Sequence, residues 1–149
     1  MKTKTKLLTL AFFALPPFLI SCEDDKDKSS VVSDLVLKAF YERYPNSSPY
    51  DWDVEGAFYK AEFFKDDNRA EAWFTEHGTW IKTEVDYFDP LPELVQQYIQ
   101  MHYADYRIDD VNWVETPTEN YYEVELEKKG VPDMILKIGE DGQLLDGKM

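Results

Sequence analysis

The sequence predicts an α+β fold in which a helix followed by a four-stranded antiparallel sheet occurs twice. Three observations predict it. Two segments place apolar residues at helical spacing, 59 positions apart. Each is followed by runs that alternate polar and apolar residues. Two glycine turns, His77-Gly78 and Asp141-Gly142, fall at matching places in those runs. A 3.6-residue apolar period marks an amphipathic helix, and a two-residue period marks a strand with one buried face.

The first helix is predicted from Val32, Leu35, Val36, Ala39 and Phe40, with Ser33 or Asp34 as its cap and Pro45 as its end. The second follows from Leu91, Leu94, Val95, Tyr98 and Ile99, with Pro92 in its first turn. Asp34-Leu35-Val36 through Arg43-Tyr44 matches Glu93-Leu94-Val95 through His102-Tyr103 at the same offset. It carries on into a first strand, where Trp52 and Val54 match Val111 and Trp113. A loop at Thr116-Pro117-Thr118-Glu119 raises the offset to 63, and Tyr59, Ala61 and Phe63 then match Tyr122, Val124 and Leu126. At offset 64, Ala72 and Phe74 match Leu136 and Ile138 in third strands. Fourth strands carry Ile81, Thr83 and Val85 in one unit and Leu145 with its neighbours in the other. Units of this size are marginal alone, so the two are expected to share one core.

One helix per four strands covers one sheet face and leaves the other open. A His77-Gly78 turn pairs Thr75 with Trp80 and Trp73 with Lys82. A preceding Asp67-Asn68 turn puts Glu62 beside Trp73 and Phe64 beside Glu71. The open face of the first unit then carries Phe58, Lys60, Glu62, Phe64, Glu71, Trp73, Trp80, Lys82 and Glu84. The second carries Tyr121, Glu123, Glu125, Glu127, Lys137 and Leu144, so one half is aromatic and mixed and the other acidic. Trp73 and Trp80 stand opposite Ala72, Phe74 and Ile81 and should be partly exposed. They can brace the sheet against the stems of Lys60 and Lys82, form a hot spot for a protein partner, or stack on carbohydrate.

The N-terminus reads as an export address. Lys2, Lys4 and Lys6 precede an apolar run from Leu7 to Ile20. That run is too short to cross a ~30 Å hydrocarbon core, which takes about 20 residues, so it is a signal region. Leu19-Ile20-Ser21-Cys22 has the form of a bacterial lipobox, and Cys22 is the sole cysteine. Residues 1–21 are therefore expected to be a signal peptide and Cys22 the lipidated residue. Residues 22–30 form an acidic tether, and 31–149 one domain of two repeats, 31–89 and 90–149. The tether is a spacer or, by resemblance, a surface-export signal of Gram-negative lipoproteins. The expected location is the Gram-negative cell envelope, at the outer membrane, facing the periplasm or the cell surface.

The formal net charge is −14, and losing three signal lysines makes it more negative. Such a surface repels nucleic acid and anionic lipid, leaving a lipid anchor as the only membrane contact. A basic partner or Ca²⁺ remains compatible, although solubility alone accounts for the acidity. A single cysteine allows no internal disulfide, so stability rests on packing that 9 Phe, 10 Tyr and 4 Trp can supply.

No catalytic constellation emerges. His77 and His102 fall on unrelated elements without zinc-ligand spacing. The serines lie in the signal, the tether and Ser33, Ser47 and Ser48, with no G-x-S-x-G elbow. With 30 acidic residues, no carboxylate pair stands out as acid and base, and Asp66-Asp67-Asn68 lacks a calcium-loop ladder. No cofactor, no metal and no catalytic residue is expected.

This layout resembles the PepSY-like family, small envelope proteins related to the beta-lactamase inhibitor protein fold. The resemblance spans about Val31 to Gly147. It is carried by the repeat layout and by Ala72-Trp73-Phe74 with His77-Gly78-Thr79-Trp80, echoed in Ile138-Gly139-Glu140-Asp141-Gly142. It implies a sheet used as a concave binding face and, as in relatives, an inhibitory or chaperone-like grip on another protein. Beta-lactamase inhibitors of this fold are stapled by disulfides, which this chain cannot form, so a beta-lactamase target does not carry over. The resulting expectation is a non-enzymatic, monomeric lipoprotein that binds an exported protein or peptide, with or without inhibiting it. Its face would use Phe58, Lys60, Phe64, Trp73, Trp80, Lys82 and Tyr121. The alternative is a surface lipoprotein that binds a glycan or small ligand.

Overall fold

The computed structural model describes residues 32–148. The signal segment, Cys22 and the acidic tether lie outside the described residues. The chain runs α1 (Asp34–Arg43), β1 (Asp51–Glu55), β2 (Phe58–Lys65), β3 (Asn68–Thr75), β4 (Trp80–Asp86), α2 (Glu93–His102), β5 (Arg107–Glu115), β6 (Asn120–Glu127), β7 (Met134–Ile138) and β8 (Leu144–Lys148). Helix plus four strands thus occurs twice, as expected. All eight strands form one antiparallel sheet in sequence order, because β4 pairs with β5 through Thr83–Glu115 to Asp86–Asn112.

Both helices lie on the same sheet face. Ser33 caps α1, its hydroxyl accepting from the Val36 N–H at 3.4 Å. Pro92 is the residue before α2 and not part of its first turn, with an extended ψ of 146°. The helices bury a narrower stripe than their sequences suggest: Val32, Val36, Phe40 and Tyr44 in one, Leu91, Val95 and Ile99 in the other. Leu35 and Leu94, expected inside, are 58% and 52% exposed. A short helix lying flat on a sheet touches it along one i, i+4 line.

Their exposed flanks meet the hairpin turns instead. Gly78 and Gly142 have φ of +80° and +78°, and a Cβ on either would stand 2.7 and 2.8 Å from the Leu35 and Leu94 carbonyl oxygens. Glycine is needed here both for its backbone conformation and for close approach to the helix.

The expectation of one shared core is corrected to two. Phe40, Phe63, Phe74, Trp52 and Val85 belong to one cluster, and Val95, Val124, Leu126, Leu136 and Ile138 to the other. Trp113 packs against both. Its counterpart Val54 is 56% exposed, because β1 is an edge strand while β5 is flanked on both sides.

Two registers differ from expectation. The β2–β3 turn is Asp66-Asp67, both with positive φ, so Glu62 pairs with Glu71 and Phe64 with Arg69. A turn with two left-handed residues matches the twist of the flanking strands, and aspartate tolerates that backbone better than most residues. The second difference is a bulge between Trp73 and Phe74, which pairs Phe74 with Trp80 while Trp73 keeps Lys82. Ile81 is the extra residue, outside the core cluster among the described residues. The bulge recurs between Lys137 and Ile138, where Ile138 pairs with Leu144 and Leu145 is exposed. An extra residue inverts the alternation beyond it, moving Trp80 and Leu144 to the helix side.

Candidate functional site

No described element covers the sheet face opposite the helices. Across it run rows of directly opposed side chains. One row is Asp53, Lys60, Trp73 and Lys82. The next is Asp51, Glu62, Glu71, Glu84, Val114 and Tyr121. A third is Asp86, Asn112, Glu123, Lys137 and Asp146. Trp73, Val114 and Tyr121 are buried on this face and belong to neither helix-side cluster.

Trp73 is only 7% exposed, not partly open as expected. The Lys82 ammonium stands 4.0 Å from its ring centroid, and its indole N–H donates to a Glu55 carboxylate oxygen at 3.0 Å. A sugar ring would have to displace Lys82 to stack here. That indole bond, followed by Lys60, holds the Glu55 carboxyl below its ordinary value. Tyr121 is arranged likewise, with Lys137 5.0 Å from its ring centroid and donating to its hydroxyl at 3.2 Å.

Lys60 joins Glu55, Glu62 and Glu71 at 3.0, 3.5 and 3.6 Å. Burial alone would lower its ammonium, but those carboxylates hold it well above the ordinary value. Arg69 bridges Glu71 and Glu62 at 3.1 and 3.5 Å, and Lys82 pairs with Glu84. The second half has fewer cations. Burial first, then Asp133, Asp109, Asp110 and Glu127, push the Glu125 carboxyl up.

Of the expected face residues, Lys60, Trp73, Lys82 and Tyr121 come together on these rows. Phe58 and Phe64 share the face, 38% and 59% exposed, with Phe64 packed on Tyr50 at 5.5 Å between centroids. Trp80 is a correction: the bulge seats it on the helix side. There its N–H donates to Thr83 Oγ1 at 2.9 Å and the Arg43 guanidinium lies 3.3 Å from its ring centroid. Thr83 also bonds the Tyr44 hydroxyl, so Trp80 belongs to a buried polar network.

Val114 was not anticipated. Its signal is readable in hindsight: Phe63-Phe64, Trp73-Phe74, Trp113-Val114 and Tyr121-Tyr122 are adjacent apolar pairs that must put one member on each face. Among the described residues, no three His, Cys, Asp or Glu side chains are placed to hold a metal ion.

A family model described as "Putative beta-lactamase-inhibitor-like, PepSY-like" matches residues 57–146. The chain belongs to this PepSY-like family. A BLIP-like protein from Bacteroides fragilis is similar in structure, with a TM-score of 0.70 and 28% identity over 78% of this chain and 84% of that one. A DUF2874 family protein from Bacteroides ovatus gives 0.71 and 23%, over 77% and 85%. A protein from Bacteroides eggerthii described as a "putative periplasmic" protein gives 0.70 and 21%, over 78% and 88%. No curated protein matches the chain.

Proposed function

We propose that the helix-free sheet face grips an exported protein or peptide, and that the chain does this as a non-catalytic lipoprotein held in the cell envelope through Cys22. The observation that carries the reading is the uncovered face itself, where Trp73, Val114 and Tyr121 are anchored and desolvated beside exposed Phe58 and Phe64. Rigid aromatic anchors ringed by polar groups are the composition of protein-binding hot spots. The family and the periplasmic description of one structural neighbour support an envelope address. A partner held across this face would have its own surface blocked, which is the route to inhibition.

The test is capture from envelope extract with the full chain as bait, repeated with Phe58→Ala and Phe64→Ala. Both positions are exposed, so the melt should hold while capture of the same partner falls at least tenfold. Undiminished capture would remove the face from the reading. For the anchor, a fatty-acid analogue should label the wild type and miss Cys22→Ser, and equal labelling of both would sink it.

A further inference from the structure

The helix side of the sheet carries a separate cleft where the two cores meet, about 260 Å³ in volume. Its apolar lining is aromatic. Tyr122 stands edge-on to Tyr87 at 5.0 Å and 4.8 Å from Trp113, between ring centroids. Three acidic residues, Asp66, Asp89 and Glu140, line the same space. They come from three separate segments: the β2–β3 turn, the connection to α2 and the β7–β8 turn. None of the three is paired with a cation among the described residues. The one lysine at the cleft, Lys65, is already bound to Glu115 at 2.5 Å. Burial first, then Tyr87 and Glu140, push the Tyr122 hydroxyl up, so the Glu140 charge is felt at the cleft floor.

We propose that this cleft recognises an arginine side chain of a partner polypeptide, its guanidinium stacked on the Trp113–Tyr122 wall and facing the carboxylates of Asp66, Asp89 and Glu140. A planar, weakly hydrated guanidinium stacks on aromatic rings better than an ammonium does. The molecule already uses that contact, with Arg43 on Trp80. Its own arginines, Arg43, Arg69 and Arg107, are paired with Glu115, with Glu62 and Glu71, and with Asp109 and Glu127, so none is free to fill the cleft. The volume falls below the roughly 300–1,000 Å³ of small-molecule sites, which favours a single side chain. The cleft lies on the opposite side of the sheet from the proposed binding face, so either site can fail alone.

The test is an NMR titration of the full chain, following the indole N–H signals, with the Trp113 signal identified by its loss in Trp113→Phe. The probes are n-butylguanidinium, its neutral near-isostere n-butylurea, and the peptide acetyl-Gly-Arg-Gly-amide. Butylguanidinium should move the Trp113 signal saturably and leave that of Trp73 in place, butylurea should not, and the peptide should bind at least as tightly as butylguanidinium. Asp89→Asn combined with Glu140→Gln should weaken binding at least fivefold without changing the melt. An equal response to butylurea, movement of every indole together, exclusion of the peptide, or no saturable shift would each overturn the proposal.

Discussion

Glu62, Glu71 and Glu84 stand directly opposite one another on adjacent strands, an arrangement that repels unless cations intervene. Lys60, Arg69 and Lys82 intervene there, whereas Glu125 faces Asp110 and Ile135 among further carboxylates. Its folded-state carboxyl is raised above the ordinary 4.5, so the folded chain holds its proton to higher pH than the unfolded chain. Stability therefore falls as pH rises through that window. Glu125→Gln should raise the melting temperature at pH 7, with the gain vanishing below pH 4.5, where both states are protonated. Melts of both proteins at the two pH values read this, and a gain that persists in acid would contradict it. Thr83 sets the opposite case, a buried hydroxyl serving both Tyr44 and Trp80. Thr83→Val should cost about 1–3 kcal/mol by stranding those partners, and Thr83→Ser should recover most of it. Chemical denaturation measures both.

At the scale of elements, the hairpin turns double as clamps on the helices. Gly130 and Gly142 both have positive φ, +87° and +78°, but only Gly142 has a neighbour, the Leu94 carbonyl, within 4 Å. Alanine at either position pays backbone strain of about 1–3 kcal/mol. Gly142→Ala must in addition push α2 off the turn, so it should destabilise distinctly more than Gly130→Ala. Equal losses in denaturant melts would mean that the turn does not clamp the helix. The elements themselves were legible because apolar period and glycine turns are local signals. The bulges after Trp73 and Lys137 were not: alternation read outward from a turn assumes one residue per partner, and nothing local counts an extra one. That is why Trp73, Lys82, Lys60 and Tyr121 fell on the expected face and Trp80 did not.

At the scale of the whole molecule, two clusters meet at Trp113 and along the four residue pairs of β4 and β5. Trp113→Ala should cost about 3–5 kcal/mol and uncouple the halves. Hydrogen exchange should then show the strands of one half opening at lower free energy than those of the other. Uniform opening across all eight strands would argue that strand pairing alone transmits cooperativity.

The sequence by itself determined the α+β class, the repeated helix-plus-four-strand order and the family, because these rest on periodicity and turn chemistry carried within short segments. The face of each strand was also readable up to the first bulge. Only the tertiary structure decided that β4 joins β5 into a single sheet, that the cores are two, that Trp73 is sealed by Lys82 and Glu55, and that Trp80 turns toward the helices. Each of these depends on pairs distant in the chain, where one extra residue in a strand exchanges its faces and no local pattern records it.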